Sequence, residues 1–184
     1  MKDAQVSPKS KFKFVSTEFD NLFIVKYEKF GDKRGFLTKY FQESEGFFKN
    51  FTVDDIYSTH SNENVVRGMH HQTSGFGQCK YVTCLAGEFW DIAVDLREES
   101  RTFKKTFTYK LDPESLVSLI IPPGFSHGTY STKNNTVMLS VCSGEYLPEK
   151  ESGLLMSSLN LPFYSDRDAV VSVKDVNLKG IKDY

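Results

Sequence analysis

Between Asn64 and Arg97 the chain gathers groups that move protons and bind anions: Arg67, His70, His71, Gln72 and Lys80, with Glu88 and Asp91 close behind. A histidine near its ordinary pKa of ~6.5 is a suitable base at neutral pH. A lysine or a second histidine can stabilise an oxyanion that develops as the proton leaves. Arg34 and Arg67 are each followed by glycine. A guanidinium grips phosphate or diphosphate through two parallel hydrogen bonds, and glycine lets the backbone approach closely. A metal site is the competing chemistry, with His70, His127 and a carboxylate such as Glu88 or Asp91 as a two-histidine-one-carboxylate set. The spacing does not favour it. His-x-His places two ligands on one strand face, and here His70 and His71 are adjacent. Singly, a histidine is equally well a hydrogen-bonded structural residue and an arginine a solvated charge, so the clustering makes the case for a site.

These groups need rigid supports, and the sequence predicts strands. Lys80–Leu85 and Phe89–Leu96 flank Ala86-Gly87 and read as a β-hairpin. Leu22–Val25, Phe36–Phe41, Tyr57–Ser61, Arg101–Lys110, Leu116–Ile121 and Thr136–Cys142 are further strand-like runs, and Ser44–Asn50 reads as a helical turn. Gly31–Gly35, Asp112–Ser115 and Pro122–Gly124 are turns. Short strands at intervals of roughly 8–12 residues signal a sandwich or barrel, and the chain is long for one immunoglobulin-type domain. The expected fold is all-β, a jelly-roll barrel with short helical pieces, in one domain spanning residues 1–184. Residues 1–20 are expected to form a polar N-terminal arm, frayed or extended over a neighbour at Met1–Lys11, and 149–184 an irregular C-terminal segment. Side chains of a barrel strand alternate between interior and exterior, so a regular strand sends His70 and His71 to opposite faces.

With 184 residues, 39% apolar and 14% aromatic, the chain can bury roughly two thirds of its unfolded surface and is not disordered. A net charge of −1, from 23 basic and 24 acidic residues, leaves no footprint for nucleic acid and no polybasic membrane patch. No run approaches the ~18 apolar residues of a membrane span, and Met1–Lys13 has no apolar signal core. Three cysteines without a C-x-x-C spacing fit a reduced cytoplasm. A cytoplasmic protein with no nucleic-acid or membrane partner is expected.

Six segments in order resemble the dTDP-4-dehydrorhamnose 3,5-epimerase family, a branch of the cupins. Asp32-Lys33-Arg34-Gly35-Phe36 is similar to its D-x-R-G-F loop, and Val66–Gln72 to L-R-G-L-H-x-Q. Lys80-Tyr81-Val82 is similar to K-L-V, Gly87–Arg97 to G-E-V-F-D-V-A-V-D-L-R, and Ile121–Gly128 to I-P-x-G-F-A-H-G. Ser165-Asp166-Arg167-Asp168 is taken as the closing S-x-K-D. The resemblance implies a cupin-type jelly roll that dimerises, acts on a nucleotide-diphosphate 4-keto-6-deoxy sugar and needs neither metal nor nicotinamide. It implies His70 as the base for the proton α to the C4 ketone, oriented by Asp168, and Lys80 as the group that stabilises the enolate oxygen. It implies Arg34 and Arg67 on the phosphates, His127 on the sugar or its phosphate, and Phe30 and Tyr146 packed on base or sugar. Gln72 and Arg167 are carried with the matched motifs as substrate contacts.

The chain also departs from that pattern. Anchored on Tyr146-Leu147-Pro148, the family tyrosine that returns a proton to the opposite face falls at Ser140, so water or Tyr130 would have to substitute. Lys39 stands where a glutamate is frequent. Lysine only donates, which suits the acceptor-rich edges of cytosine or guanine. Asp55 and Tyr57 replace the usual Gln and Asn, and Gly153–Tyr164 carries no tryptophan. The reading is a C5 and/or C3 epimerase of a CDP-, GDP- or dTDP-linked 4-keto-6-deoxy sugar, including a 3,6-dideoxy one, for a surface polysaccharide. The competing readings are a metal-dependent cupin isomerase or dioxygenase and a non-catalytic sugar-nucleotide-binding cupin.

Overall fold

The computed structural model describes residues 11–73 and 75–184. The frayed start expected at Met1–Lys11 falls outside them, apart from Lys11. In chain order the strands are β1 (Phe12–Ser16), β2 (Phe23–Tyr27), β3 (Lys29–Asp32), β4 (Gly35–Thr38), β5 (Asp55–Ser61), β6 (Val66–Gln72) and β7 (Cys79–Ala86). They continue as β8 (Phe89–Asp95), β9 (Thr106–Leu111), β10 (Val117–Ile121), β11 (Phe125–Ser131), β12 (Thr136–Ser143) and β13 (Glu151–Gly153). Helical structure among the described residues is limited to single turns, one of them at Gly46–Asn50, inside the turn expected there.

Two antiparallel sheets make the molecule. One runs β1-β2-β10-β7-β12-β5, the other β13-β6-β11-β8-β9, and β3-β4 stands apart as a hairpin. This is the expected all-β jelly-roll arrangement. Period-two alternation puts Val82, Cys84, Leu119 and Met138 of the first sheet against Phe89, Ala93, Leu111 and Phe125 of the second, forming the inner core. The other faces are also covered. Phe12, Phe48, Phe51, Tyr81 and Val141 close the outside of the six-stranded sheet. Leu154, Met156, Leu159 and Leu161 lie over Val66, Met69, Ile92 and Tyr130 of the five-stranded one. The irregular C-terminal segment therefore serves as the lid of a sheet.

Two expectations about local structure change. Lys80–Leu85 and Phe89–Leu96 do not form a hairpin. β7 pairs with β10 and β12, whereas β8 pairs with β11 and β9. The turn at Gly87 carries the chain from one sheet to the other. Gly87 has φ 73°, and an added Cβ would collide with Thr136, so both conformation and space require glycine there. The Gly31–Gly35 turn is itself a paired hairpin, with Asp32 opposite Gly35.

Candidate active site

A cavity of about 290 Å³ opens between the two sheets, bordered by Asp55, Tyr57, His70, Gln72, Lys80, His127, Tyr146 and Glu151. Past Tyr57, His70, Lys80 and His127 it continues into a space of about 200 Å³ that reaches Thr59, Arg67 and Thr129. The walls come from different sheets. β6 and β11 supply His70 and His127, and β5 and β7 supply Tyr57 and Lys80.

His70 Nε2 lies 2.8 Å from Asp175 Oδ1, and the other carboxylate oxygen of this buried aspartate accepts the Gly68 N–H at 3.3 Å. That leaves His70 Nδ1 as the nitrogen facing Glu151 Oε1, at 3.7 Å. Glu151 also receives Lys174 Nζ and the Tyr146 hydroxyl at 3.2 Å. Burial pushes the Glu151 carboxyl up, but Lys174 and His70 together hold it below its ordinary value. His71 borders the cavity, yet its ring meets Ser126 Oγ at 3.3 Å and the Tyr184 ring. Its pKa is lowered by burial and by Lys80 and His70. The β6–β11 ladder shifts register between His70 and Arg67, so both of these reach the cavity, while the His71 ring turns to the outer side of the sheet, as alternation along β6 requires.

His127 Nε2 pairs with Asp91 Oδ2 at 2.8 Å, both residues buried. Asp91 Oδ1 has no hydrogen-bond partner among the described residues. Lys80 sits half-buried, its pKa lowered by burial and partly restored by Cys142, Glu151 and Asp91. Arg67 donates to Ser61 Oγ at 2.9 Å and to the His60 carbonyl at 2.8 Å. Gln72 is a clamp. Its amide donates to the carbonyls of Phe76 and Glu145 and its oxygen accepts the Leu147 N–H. It thereby holds Tyr146 at the rim.

Asp168 does not hold His70. It is exposed and its charge bears on Tyr130, on the outer side of the five-stranded sheet. Arg167 is exposed beside it. The residue against His70 is Asp175, within Ser172-Val173-Lys174-Asp175. This stretch spells S-x-K-D outright, whereas residues 165–168 carry arginine in the third place, so the signal was present seven residues on. Glu151 carried no sequence signal. Phe30 and Arg34 lie on the β3-β4 hairpin around a separate shallow depression, and Lys39 follows it, exposed. None of the three borders the cavity in this chain. Tyr130 cannot substitute for an acid there, because its hydroxyl donates to Asn64 Oδ1 at 2.9 Å and its ring packs under the C-terminal segment. Ser140 is fully buried beside Cys142 and opposite Tyr57. The metal set is not assembled either. Glu88 is engaged by Lys110 and Lys133, and among the described residues no group of three or more His, Cys, Asp or Glu converges.

The arrangement is that of a proton-transfer site: an imidazole fixed by a buried carboxylate, with the Lys80 amino group on the opposite wall of the same cavity. A model of the dTDP-4-dehydrorhamnose 3,5-epimerase family matches residues 16–183. The chain belongs to this family. A relative of that name from Shigella flexneri is 33% identical over 170 residues, 89% of this chain and 92% of the relative. The crystal structure of dTDP-4-dehydrorhamnose 3,5-epimerase from Elizabethkingia anophelis superposes with a TM-score of 0.84 at 31% identity, covering 94% of this chain and 98% of that one. The dTDP-6-deoxy-D-glucose-3,5-epimerase of Legionella pneumophila, solved with dTDP-4-keto-L-rhamnose, gives 0.84 at 29% identity, with 93% of each chain covered. Membership makes the chain an isomerase and favours epimerisation over metal-dependent cupin chemistry or simple binding. No helix among the described residues is long and apolar enough to cross a membrane.

Proposed function

We propose that this epimerase inverts C5, C3 or both in a nucleotide-diphosphate 4-keto-6-deoxy sugar. The observation that carries the reading is His70, held by buried Asp175 and facing Lys80 across the cavity. His70 Nδ1 removes the proton α to the ketone. The negative charge that moves to the C4 oxygen is met by Lys80, on the other wall, where low dielectric strengthens the attraction. Asp175 fixes the tautomer and stabilises the imidazolium that forms. His127, oriented by Asp91, hydrogen-bonds the sugar, and Arg67 supplies positive charge for the diphosphate. Tyr146 and Asp55 border the rim.

The dTDP-4-keto-L-rhamnose in the Legionella relative supports a nucleotide sugar, while Lys39 keeps CDP and GDP open beside dTDP. A homodimer is part of the proposal. β5 is an open sheet edge, and Phe30, Phe36, Leu37 and Ile56 are large exposed apolar residues on or near it and on the hairpin. Such groups favour a covered surface, and substrate contacts by Phe30, Arg34 and Lys39 then run through the partner. The cytoplasm is the expected compartment, and a deoxysugar for surface polysaccharide the expected product.

The test is solvent deuterium incorporation, followed by NMR, with CDP-, GDP- and dTDP-linked 4-keto-6-deoxyglucose. Label at C5, C3 or both, abolished in His70→Ala, is the expected result. Absence of exchange at both carbons for all three sugars refutes the reading.

A further inference from the structure

Resting on the epimerase reading above, we infer that Tyr57 is the acid of the reaction, delivering a proton to the α-carbon on the face opposite His70. A planar enolate held in the cavity has two faces, and the two sheets supply one wall to each. His70 stands on β6, in the five-stranded sheet, and Tyr57 on β5, in the six-stranded sheet; both border the main cavity and its extension. Inversion requires a base and an acid in that opposed relation, since a proton returned from the wall of departure regenerates the starting sugar.

The other donors on the cavity are engaged or lie on the wrong side. The Tyr146 hydroxyl is bound to Glu151 Oε2, and Glu151 is on β13, next to β6. His127 is paired with Asp91. Lys80 is placed for the enolate oxygen, and Asp55 as a carboxylate only accepts. On the facing wall Tyr57 and Thr59 of β5 offer hydroxyls to the cavity, and of the two the phenol is by far the stronger acid. Its surroundings suit the task. In the β5–β12 ladder Tyr57 lies directly opposite Ser140, whose small side chain leaves the phenol its space. Burial pushes the phenol up to about 12 while the Ser140 hydroxyl pulls it down. The proton is therefore in place at any working pH, and a hydroxyl stands ready to stabilise the phenolate.

The step balances within the protein. The C–H bond at C3 or C5 breaks and its proton goes to His70 Nδ1, and the electron pair becomes the enolate. The Tyr57 O–H then breaks, a new C–H forms on the opposite face and the ketone returns. Imidazolium and phenolate remain, and a proton passed between them through solvent resets the site. Substrate and product are isomers, so no co-reactant is consumed.

The experiment compares wild type, Tyr57→Phe and His70→Ala in deuterium oxide, measuring label in recovered substrate and in inverted product. Tyr57→Phe is expected to lower product formation by ~10²–10⁴-fold while His70-dependent exchange in recovered substrate stays within about threefold of wild type. Product formation within threefold of wild type overturns the inference, and so does loss of both signals, which makes Tyr57 a binding residue. Should Tyr57→Phe not fold, Tyr57→Asn/Ser140→Tyr, which moves the phenol one strand across, carries the same test. Product formation at least tenfold above Tyr57→Asn supports the inference, and none above it overturns it. A wild type that exchanges neither carbon of any of the three sugars fails the epimerase reading beneath it.

Discussion

Replacing Asp175 by asparagine keeps the shape of the site and removes one charge. Asp175 Oδ1 is 2.8 Å from His70 Nε2, and the carboxylate is buried. A hydrogen bond to a charged group is worth about 1.5–3 kcal/mol. That bond strengthens as the imidazole takes the substrate proton, so losing it slows turnover by ~10–150-fold at about 1.4 kcal/mol per decade. The amide adds a second effect. Its N–H can donate to Nε2, which leaves the ring proton on Nδ1, the nitrogen that must act as base. A wrong tautomer carries the loss towards ~10⁴-fold. The fall belongs in kcat, because Asp175 does not border the cavity and makes no substrate contact that KM would register. Steady-state kinetics on Asp175→Asn, with Asp168→Asn in parallel, reads the effect directly, and the exposed Asp168 variant should match wild type. An Asp175→Asn enzyme within threefold of wild-type kcat, or an Asp168→Asn enzyme that falls as far, would show that His70 is not held as described.

Lys80→Met should abolish exchange and yet raise the melting temperature. Burial lowers the Lys80 pKa, so its penalty is full below the folded pKa and vanishes only above the unfolded value near 10.5; at neutral pH the apolar side chain gains roughly 1 kcal/mol, ~2–4 °C by thermal melt. Asp95 is pushed up by burial, but Arg97, Thr102 and Ser100 bring it from 3.8 to about 2. The stability this gives, about 2.5 kcal/mol at ~1.4 kcal/mol per pKa unit, is fully present above pH ~4 and is lost as pH falls towards 2. Denaturant titrations against pH should therefore show Asp95→Asn weaker by at least that much at neutral pH and flatter through the acid window. Phe48→Ala should cost about 3–5 kcal/mol in urea unfolding, since its fully buried ring meets Phe12, Phe14, Phe41, Phe51 and Tyr81.

Much of this was legible before the structure. Alternation along Tyr57–Ser61 and Thr136–Cys142, and the hard stop at Pro122-Pro123, report directly on strands β5, β12 and β10, because burial on one face of a sheet imposes period two. His70, Lys80 and His127 stood out for their chemistry, and they do meet. The misreadings share a cause. A glycine turn between two apolar runs looks the same whether the second strand folds back on the first or crosses to the facing sheet, and only distant partners decide; for β7 these are β10 and β12. The motif that points to Asp168 occurs again, in near-identical form, at Asp175, and burial, which separates the two, is not written locally. Tyr57 was noted as an oddity and Ser140 as a loss. Their meaning lies in the ladder that sets them side by side.

The crossing at Gly87 also bears on how activity appears in time. His70 and Lys80 are ten residues apart in the chain, yet each sits in a sheet whose other strands come from far along it. Joining such distant segments is slow, because loop-closure entropy is lost before the contacts reward it. The cavity does not exist until both sheets have formed and closed on each other. In a refolding experiment, turnover should therefore return after the far-ultraviolet signal of β-structure and together with the protection of the most buried amides. Catalytic recovery would then time the closure of the two sheets.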